Sequence, residues 1–105
     1  MANSGQKQQS SVGVQVQTVE RTPRNYHVVF LNDDTTTMQF VVEVLRTIFN
    51  HTAGKAWTLM LRVHKQGRAI VGTYSYDIAM TKCAQAMAAA RKQGYPLRVI
   101  TEPAE

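Results

Sequence analysis

Asn32-Asp33-Asp34-Thr35-Thr36-Thr37-Met38 separates two runs of different periodicity, and its reading decides the fold. Upstream, Tyr26 to Leu31 is β-branched or aromatic, the pattern of a buried strand. Downstream, Met38 to Phe49 carries apolar residues at helical spacing. Thr36 followed three residues later by Gln39 fits a capping box, with the Thr36 hydroxyl accepting from the Gln39 N–H. Asn32, Asp33 and Asp34 then fall in a strand-to-helix turn beside a helix N-terminus, where the helix dipole favours ionised carboxylates. Two carboxylates and an amide on one short loop form a cluster of acceptors, which suits a cation. The same residue types are also ordinary turn formers, because their side chains bond nearby backbone N–H groups. The turn acquires a function only if a second element joins it.

Outward from this turn, the expected order is β-α-α-β-α-β. The first helix, Thr37 to Asn50, places Met38, Val41, Val42, Leu45, Ile48 and Phe49 on one stripe, with Phe40 and Val44 off it, so two faces are expected to be buried. Thr52 caps a second helix over Ala53 to Gln66, closed by Gly67, with Ala56, Leu59, Met60 and Val63 as its apolar stripe. Arg68 to Tyr74 reads as a strand with a bulge near Gly72. Ser75 caps a third helix carrying Asp77 in its first turn, and Ile78, Ala79, Cys83, Ala86, Met87 and Ala90 give it a narrow face of mostly small residues. Gly94 stops that helix, Pro96 forbids its continuation, and Leu97 to Thr101 is the last strand. Residues 1–24 are rich in Gln and Ser. Val12, Val14 and Val16 alternate there, but no periodicity persists, so a flexible extension ending at Thr22-Pro23 is expected, followed by one domain over 25–105.

With 105 residues the chain has room for one modest core. No apolar run approaches the roughly 18 residues that span a bilayer, and the first residues lack the apolar stretch of a secretory signal. The single cysteine, Cys83, excludes an intramolecular disulfide and suits a reducing compartment, so the cytoplasm is expected. A net charge of +5 raises nucleic acid as a partner, but the Lys and Arg residues are scattered, and Arg62, Lys65 and Arg68 surround a helix end whose dipole they complement.

The second element is His64, one turn after Met60 on the second helix. An antiparallel helix pair brings the end of the second helix to the start of the first, and so His64 to Asn32 and Asp33. Met38, Val41, Met60 and Val63 then form apolar walls beside three acceptors, and a primary ammonium has three donors. The residues alone thus point to a small apolar pocket with an ammonium clamp at its mouth, against the plainer reading of His64 as a structural, hydrogen-bonded histidine. No metal-ligand spacing links His27, His51, His64 and Cys83, and neither metal nor cofactor is expected. Cys83 with His64 makes a poor nucleophile pair because Cys83 sits on a core stripe. Asp33 and Asp34 are too close in sequence to face one substrate atom as acid and base. No nucleophile–base–orienter set can be assembled, so an enzyme is not expected.

The string Leu31-Asn32-Asp33-Asp34-Thr35-Thr36-Thr37-Met38-Gln39-Phe40-Val41 resembles the N-D-D-x-T-P-M-E-F-V signature of the ClpS family, adaptors of the ATP-dependent Clp protease. Met60-Leu61-Arg62-Val63-His64-Lys65-Gln66-Gly67 resembles that family's M-L-x-V-H-x-x-G helix end, and Thr81-Lys82 and Pro96-Leu97 match its T-K and P-L positions. The resemblance implies a protein that binds N-terminal degradation signals beginning with Leu, Phe, Tyr or Trp and hands them to a ClpA-type unfoldase. It implies that Asn32, Asp33 and His64 hold the α-amino group, that Thr36, Met38, Val41, Met60, Val63 and Leu97 line the side-chain pocket, and that Asp77 and Lys82 contact the unfoldase N-terminal domain. Thr37 stands where the family has Pro at the first helical position, Gln39 replaces Glu, and Thr35 stands where an aromatic is common.

The expected architecture is α+β, a three-stranded antiparallel sheet covered by three helices. The expected function is a monomeric, non-enzymatic adaptor for N-terminal degradation signals. Two alternatives are a basic nucleic-acid- or ribosome-associated α+β protein, and a binding module that does not deliver to an unfoldase.

Overall fold

The computed structural model describes residues 24–105. The expected extension, with its alternating Val12, Val14 and Val16, lies outside the described residues apart from Arg24. Six elements follow: β1 (Asn25–Leu31), α1 (Met38–Thr47), α2 (Ala53–Gln66), β2 (Arg68–Ser75), α3 (Tyr76–Lys92) and β3 (Arg98–Pro103). The order β-α-α-β-α-β and the three-stranded antiparallel sheet are as the sequence implies. The strands lie in the order β2-β1-β3, with β1 in the centre.

The register organises the molecule. Leu31, the last residue of β1, lies opposite Arg68, the first of β2, and Arg98, the first of β3. The segments that leave β1 and enter β2 and β3 therefore meet at one end of the sheet. At the other end Asn25 lies opposite Ser75, where α3 begins. Helix α3 then runs back, so that its C-terminus reaches the first end.

Each helix start has a local cause. The Thr52 hydroxyl accepts from the Lys55 N–H, and Gly67 ends α2 in the left-handed conformation at φ 88°, which costs glycine least. The first helix departs from expectation by one residue. Its cap is Thr37, whose hydroxyl accepts from Phe40 N–H, and not Thr36. The Thr36 side chain is turned instead towards Asp33, to which its hydroxyl donates. Thr37 is thus outside the helix, and the position has no first-turn N–H for a proline to spare. The helix also ends early, at Thr47, with Ile48 as its cap, and Asn50 takes a positive φ of 61° in the connection. Ser75 starts α3 in extended conformation without a side-chain cap bond.

One apolar core joins the helices to the sheet through Phe30, Leu45, Leu59, Met60, Leu97 and their neighbours. Val41, Val44 and Leu45 are the buried residues of α1 and, three and four positions apart, share one face, with Phe40 and Val42 half-buried at its flanks, so α1 buries one face and not the two expected. Truncating one of the large buried side chains, such as Leu45 or Leu59, to alanine is expected to cost about 2–5 kcal/mol. Ile78 is a correction: it is 50% exposed, and the buried face of α3 consists of Ala79, Cys83, Ala86 and Ala90. These small residues seat the helix closely on the sheet, and a branched side chain would hold it off. The last strand runs to Pro103, past the expected end at Thr101.

The bulge is real and has a purpose. The β1–β2 register slips between Val28, opposite Gly72, and Val29, opposite Ile70, leaving Val71 as the extra residue. A Cβ on Gly72 would lie 2.6 Å from ring carbons of Tyr74, so only glycine lets that ring fold over the strand. His51 holds the bulge from the other side, its Nε2–H donating to the Val71 carbonyl at 2.6 Å.

Candidate functional site at the turn end of the sheet

The Asp33 carboxylate is the organising group of the turn. Its Oδ1 accepts from the Thr35 N–H at 2.8 Å and the Thr36 N–H at 2.7 Å, and its Oδ2 accepts from the Thr36 hydroxyl at 2.8 Å. Partial burial pushes its pKa up. The bonds from the Thr36 N–H and hydroxyl and the Thr35 N–H, together with the positive charge of Arg91, outweigh that and hold the carboxyl below its ordinary value. The carboxylate is therefore ionised at neutral pH and held by its own loop. A carboxylate has about four lone-pair sites, and three hydrogen bonds leave one acceptor direction free.

The backbone N–H of Asn32 donates to the Gly67 carbonyl at 3.0 Å, and the Gly67 N–H donates to the Val63 carbonyl at 2.9 Å. The turn after β1 is thereby tied to the last turn of α2, which carries His64 on its exposed side. Leu97 stands immediately before β3, at the same end of the sheet. Of the expected wall residues, Val41, Met60, Val63 and Leu97 are buried and belong to the common core, Thr36 is half-buried, and Met38 is 43% exposed at the start of α1. Two surface grooves flank α1. The first, about 340 Å³, runs between α1 and α3 past Phe40, Val44, Ala89 and Tyr95. Another flanks α1 beside Val42, Arg46 and His51.

Asp77 and Lys82 are placed together, far from the turn. They line a shallow groove at the start of α3 with Ile78, Thr81 and Gln85. The Lys82 ammonium turns inward. It donates to the Ile48 carbonyl at 2.7 Å and stands 5.7 and 5.4 Å from the ring centres of Phe49 and Tyr74. It thus satisfies an end carbonyl of α1 that has no partner within the helix.

Two residues at the turn end escape the sequence reading. Arg91 reaches from α3 to the carbonyls of Tyr95 and Leu97, both at 2.9 Å, and Tyr95 packs its ring 5.0 Å from that of Phe40. Only the topology, which returns α3 to the start of β3, could have revealed them. Cys83 is confirmed as a core residue: burial raises its pKa, and its thiol donates to the Val99 carbonyl at 2.9 Å. Among the described residues no three His, Cys, Asp or Glu side chains are grouped to hold a metal ion, and no helix is long and apolar enough to cross a membrane.

Residues 21–100 match the model of a protein family described as ATP-dependent Clp protease adaptor protein ClpS. The chain belongs to the ClpS family. The ATP-dependent Clp protease adapter protein ClpS of Treponema denticola is 48% identical over 96 residues, covering 91% of this chain and 95% of the relative. The ClpS of Wolinella succinogenes is 50% identical over 80 residues, covering 76% of this chain and 78% of the relative. Among solved structures, Agrobacterium tumefaciens ClpS2 bound to L-phenylalaninamide matches with a TM-score of 0.77 and 36% identity, covering 79% of this chain and all of that one. The chain is accordingly an adaptor of the Clp protease, and not an enzyme, and its place in the ClpS family implies a Clp unfoldase and substrate proteins as partners.

Proposed function

We propose that this ClpS-family chain binds proteins whose first residue is Leu, Phe, Tyr or Trp and delivers them to a ClpA-type unfoldase. The substrate's α-ammonium donates to the free acceptor of Asp33, to the Asn32 side chain and to neutral His64. The first side chain passes Met38 to lie against Thr36, Val41, Met60, Val63 and Leu97. The observation that supports this most is the bond from Asn32 N–H to the Gly67 carbonyl, which ties the acidic turn to the helix end bearing His64. The ligand of the Agrobacterium relative, L-phenylalaninamide, has the two features the site would need, a free amine and a benzyl side chain. Asp77 and Lys82 serve as contacts for the unfoldase N-terminal domain, residues 1–24 serve delivery and not recognition, and the protein works as a cytoplasmic monomer.

The energetics suit a transient adaptor. Charge-assisted hydrogen bonds contribute about 1.5–3 kcal/mol each, and burial of the first side chain adds roughly 1.5–3 kcal/mol. Lost freedom of the peptide offsets part of this, so a dissociation constant on the order of micromolar is expected. The deciding measurement is fluorescence anisotropy with peptides that differ only in their first residue, each with a free or an acetylated N-terminus. Free Phe and Leu peptides bind and the acetylated forms do not. Equal affinity for the two forms would exclude an ammonium clamp, and steep weakening by salt would favour the nucleic-acid reading instead.

A further inference from the structure

Arg91 lies in the last turn of α3, where a cation complements the helix dipole, and a surface arginine there would need no other explanation. Its contacts go further. One guanidinium nitrogen, Nη1, donates to both the Tyr95 and the Leu97 carbonyls at 2.9 Å, and so closes the α3–β3 connection onto the end of α3. The same connection is fixed against α1 from its other side. The Tyr95 ring packs on Phe40, and its hydroxyl lies 3.5 Å from the hydroxyl of Thr37, the cap of α1. Leu97, immediately after this clasp, is 1% exposed.

We propose that Arg91 is a positioning residue for the recognition site, holding the Tyr95–Leu97 connection against the start of α1 and the Asn32–Thr36 turn. The inference rests on the degradation-signal reading for its purpose and, for its existence, on the hydrogen bonds of Arg91, with its charge on Asp33 as support. It requires Arg91 to act at two places at once, through hydrogen bonds at Leu97 and through charge at the acidic turn. The titratable and charged side chains near the meeting ends of these elements are Asp34 on the turn, Arg62, His64 and Lys65 towards the end of α2, Arg68 and Arg98 opposite Leu31 on the flanking strands, with Arg68 paired to Glu102 at 2.6 Å, and Arg91 and Lys92 in the last turn of α3. Of these it is Arg91 whose charge acts on the Asp33 carboxyl.

Arg91→Gln and Arg91→Lys separate this role from simple helix capping. The Asp33 carboxyl is titrated by carbon-detected NMR in the peptide-free protein, and a Phe-started peptide is titrated by anisotropy. Arg91→Gln is expected to raise the Asp33 pKa and to weaken peptide binding about tenfold, the equivalent of one lost charge-assisted hydrogen bond. Arg91→Lys keeps the charge without the fork, so it returns Asp33 towards its wild-type titration while peptide affinity stays reduced. An unchanged Asp33 titration in Arg91→Gln overturns the proposal, whatever the affinity, because a helix cap alone would leave Asp33 untouched. An altered titration with unchanged affinity also overturns it. Should wild-type protein bind no free-amine peptide, the degradation-signal reading fails, and the Asp33 titration still decides whether Arg91 and the turn are linked.

Discussion

Each end of the sheet has a charged side chain that holds local backbone, and the two are turned in opposite directions. At the turn end, Asp33 spends three acceptor directions on its own loop, remains partly exposed, and keeps one direction for a visitor. At the far end, Lys82 is drawn inward onto the Ile48 carbonyl between two aromatic rings. Both side chains stabilise local backbone. Both groups have bonding capacity beyond what the local backbone uses, but the carboxylate stays at the surface, whereas the ammonium turns its remaining donors towards the Phe49 and Tyr74 rings and leaves mainly its charge and stem for a partner. A polar residue can hold its own loop and still recognise a ligand only when its spare bonding capacity also faces outward.

The largest effect is expected from breaking the turn. Asp33→Ala removes its three hydrogen bonds and the free acceptor together. We expect affinity for a Phe-started peptide to fall at least about a hundredfold, two charge-assisted contacts' worth, with a stability loss of about 1–3 kcal/mol. Asp33→Asn keeps an amide oxygen for the backbone N–H groups and should recover most of the stability but little of the affinity. Paired thermal unfolding and peptide titration read both. If Asn restores affinity, the carboxylate is only a turn former, and the contrast with Lys82 disappears.

The second prediction concerns the far end. Lys82→Met retains the apolar stem and deletes the ammonium, leaving the Ile48 carbonyl without its donor. A stability loss of about 1–2 kcal/mol is expected, from the hydrogen bond and the two cation–π contacts. Peptide affinity at the opposite end should hold, and unfoldase binding should weaken. A variant of unchanged stability would show that the inward ammonium is incidental, and unchanged unfoldase binding would remove Lys82 from the proposed contact.

These two positions also show what sequence could and could not tell. Element order, the closure of α2 at Gly67, the bulge beside Gly72 and the buried Ala56, Leu59, Met60, Val63 stripe were legible, because each rests on a local rule of periodicity or capping. The cap of α1 was misplaced by one residue because Thr36 and Thr37 are chemically alike, and only the competition of Asp33 for the Thr36 hydroxyl distinguishes them. Helical spacing puts Ile78 with the core, but it cannot show how closely a helix seats on a sheet, and Ile78 is half exposed. The inward turn of Lys82 depends on Tyr74, whose ring position depends on a missing Cβ at Gly72. Such a chain of causes has no sequence signature. Arg91 was invisible for a similar reason, since its partners are carbonyls, which every residue has.

A third expectation concerns discrimination. Met38 is the most exposed member of the proposed wall, in which Thr36 is half-buried and the others are buried, and on that reading it screens what reaches Val41 and Met60. Met38→Ala should admit peptides beginning with Val or Ile and shift the Val-to-Phe affinity ratio about tenfold, within the 1–3 kcal/mol typical of pocket shape. An unchanged ratio would mean that Met38 is only a surface residue of α1.

The smallest effect is the acid dependence of the turn itself. The folded-state pKa of Asp33 lies below its ordinary value, so the ionised form is the one that folding favours. Its contribution is therefore complete above the unfolded-state value and is lost as pH falls through the folded one, which puts the window below about pH 4. Asp33 is largely screened by solvent, so the slope should be shallow. Comparing denaturant midpoints of wild type and Asp33→Asn from neutral pH downward isolates it: the gap between the two is constant above the window and narrows inside it, as the wild-type carboxylate takes up its proton and loses one acceptor site. Arg91→Gln should make the same gap smaller and complete its loss at higher pH, because part of the depression comes from that charge. Lys82→Met, at the far end of the sheet, should leave the narrowing where it is in wild type. A gap that narrows at neutral pH, or one that Lys82→Met displaces as much as Arg91→Gln does, would mean that the two ends are not electrostatically separate.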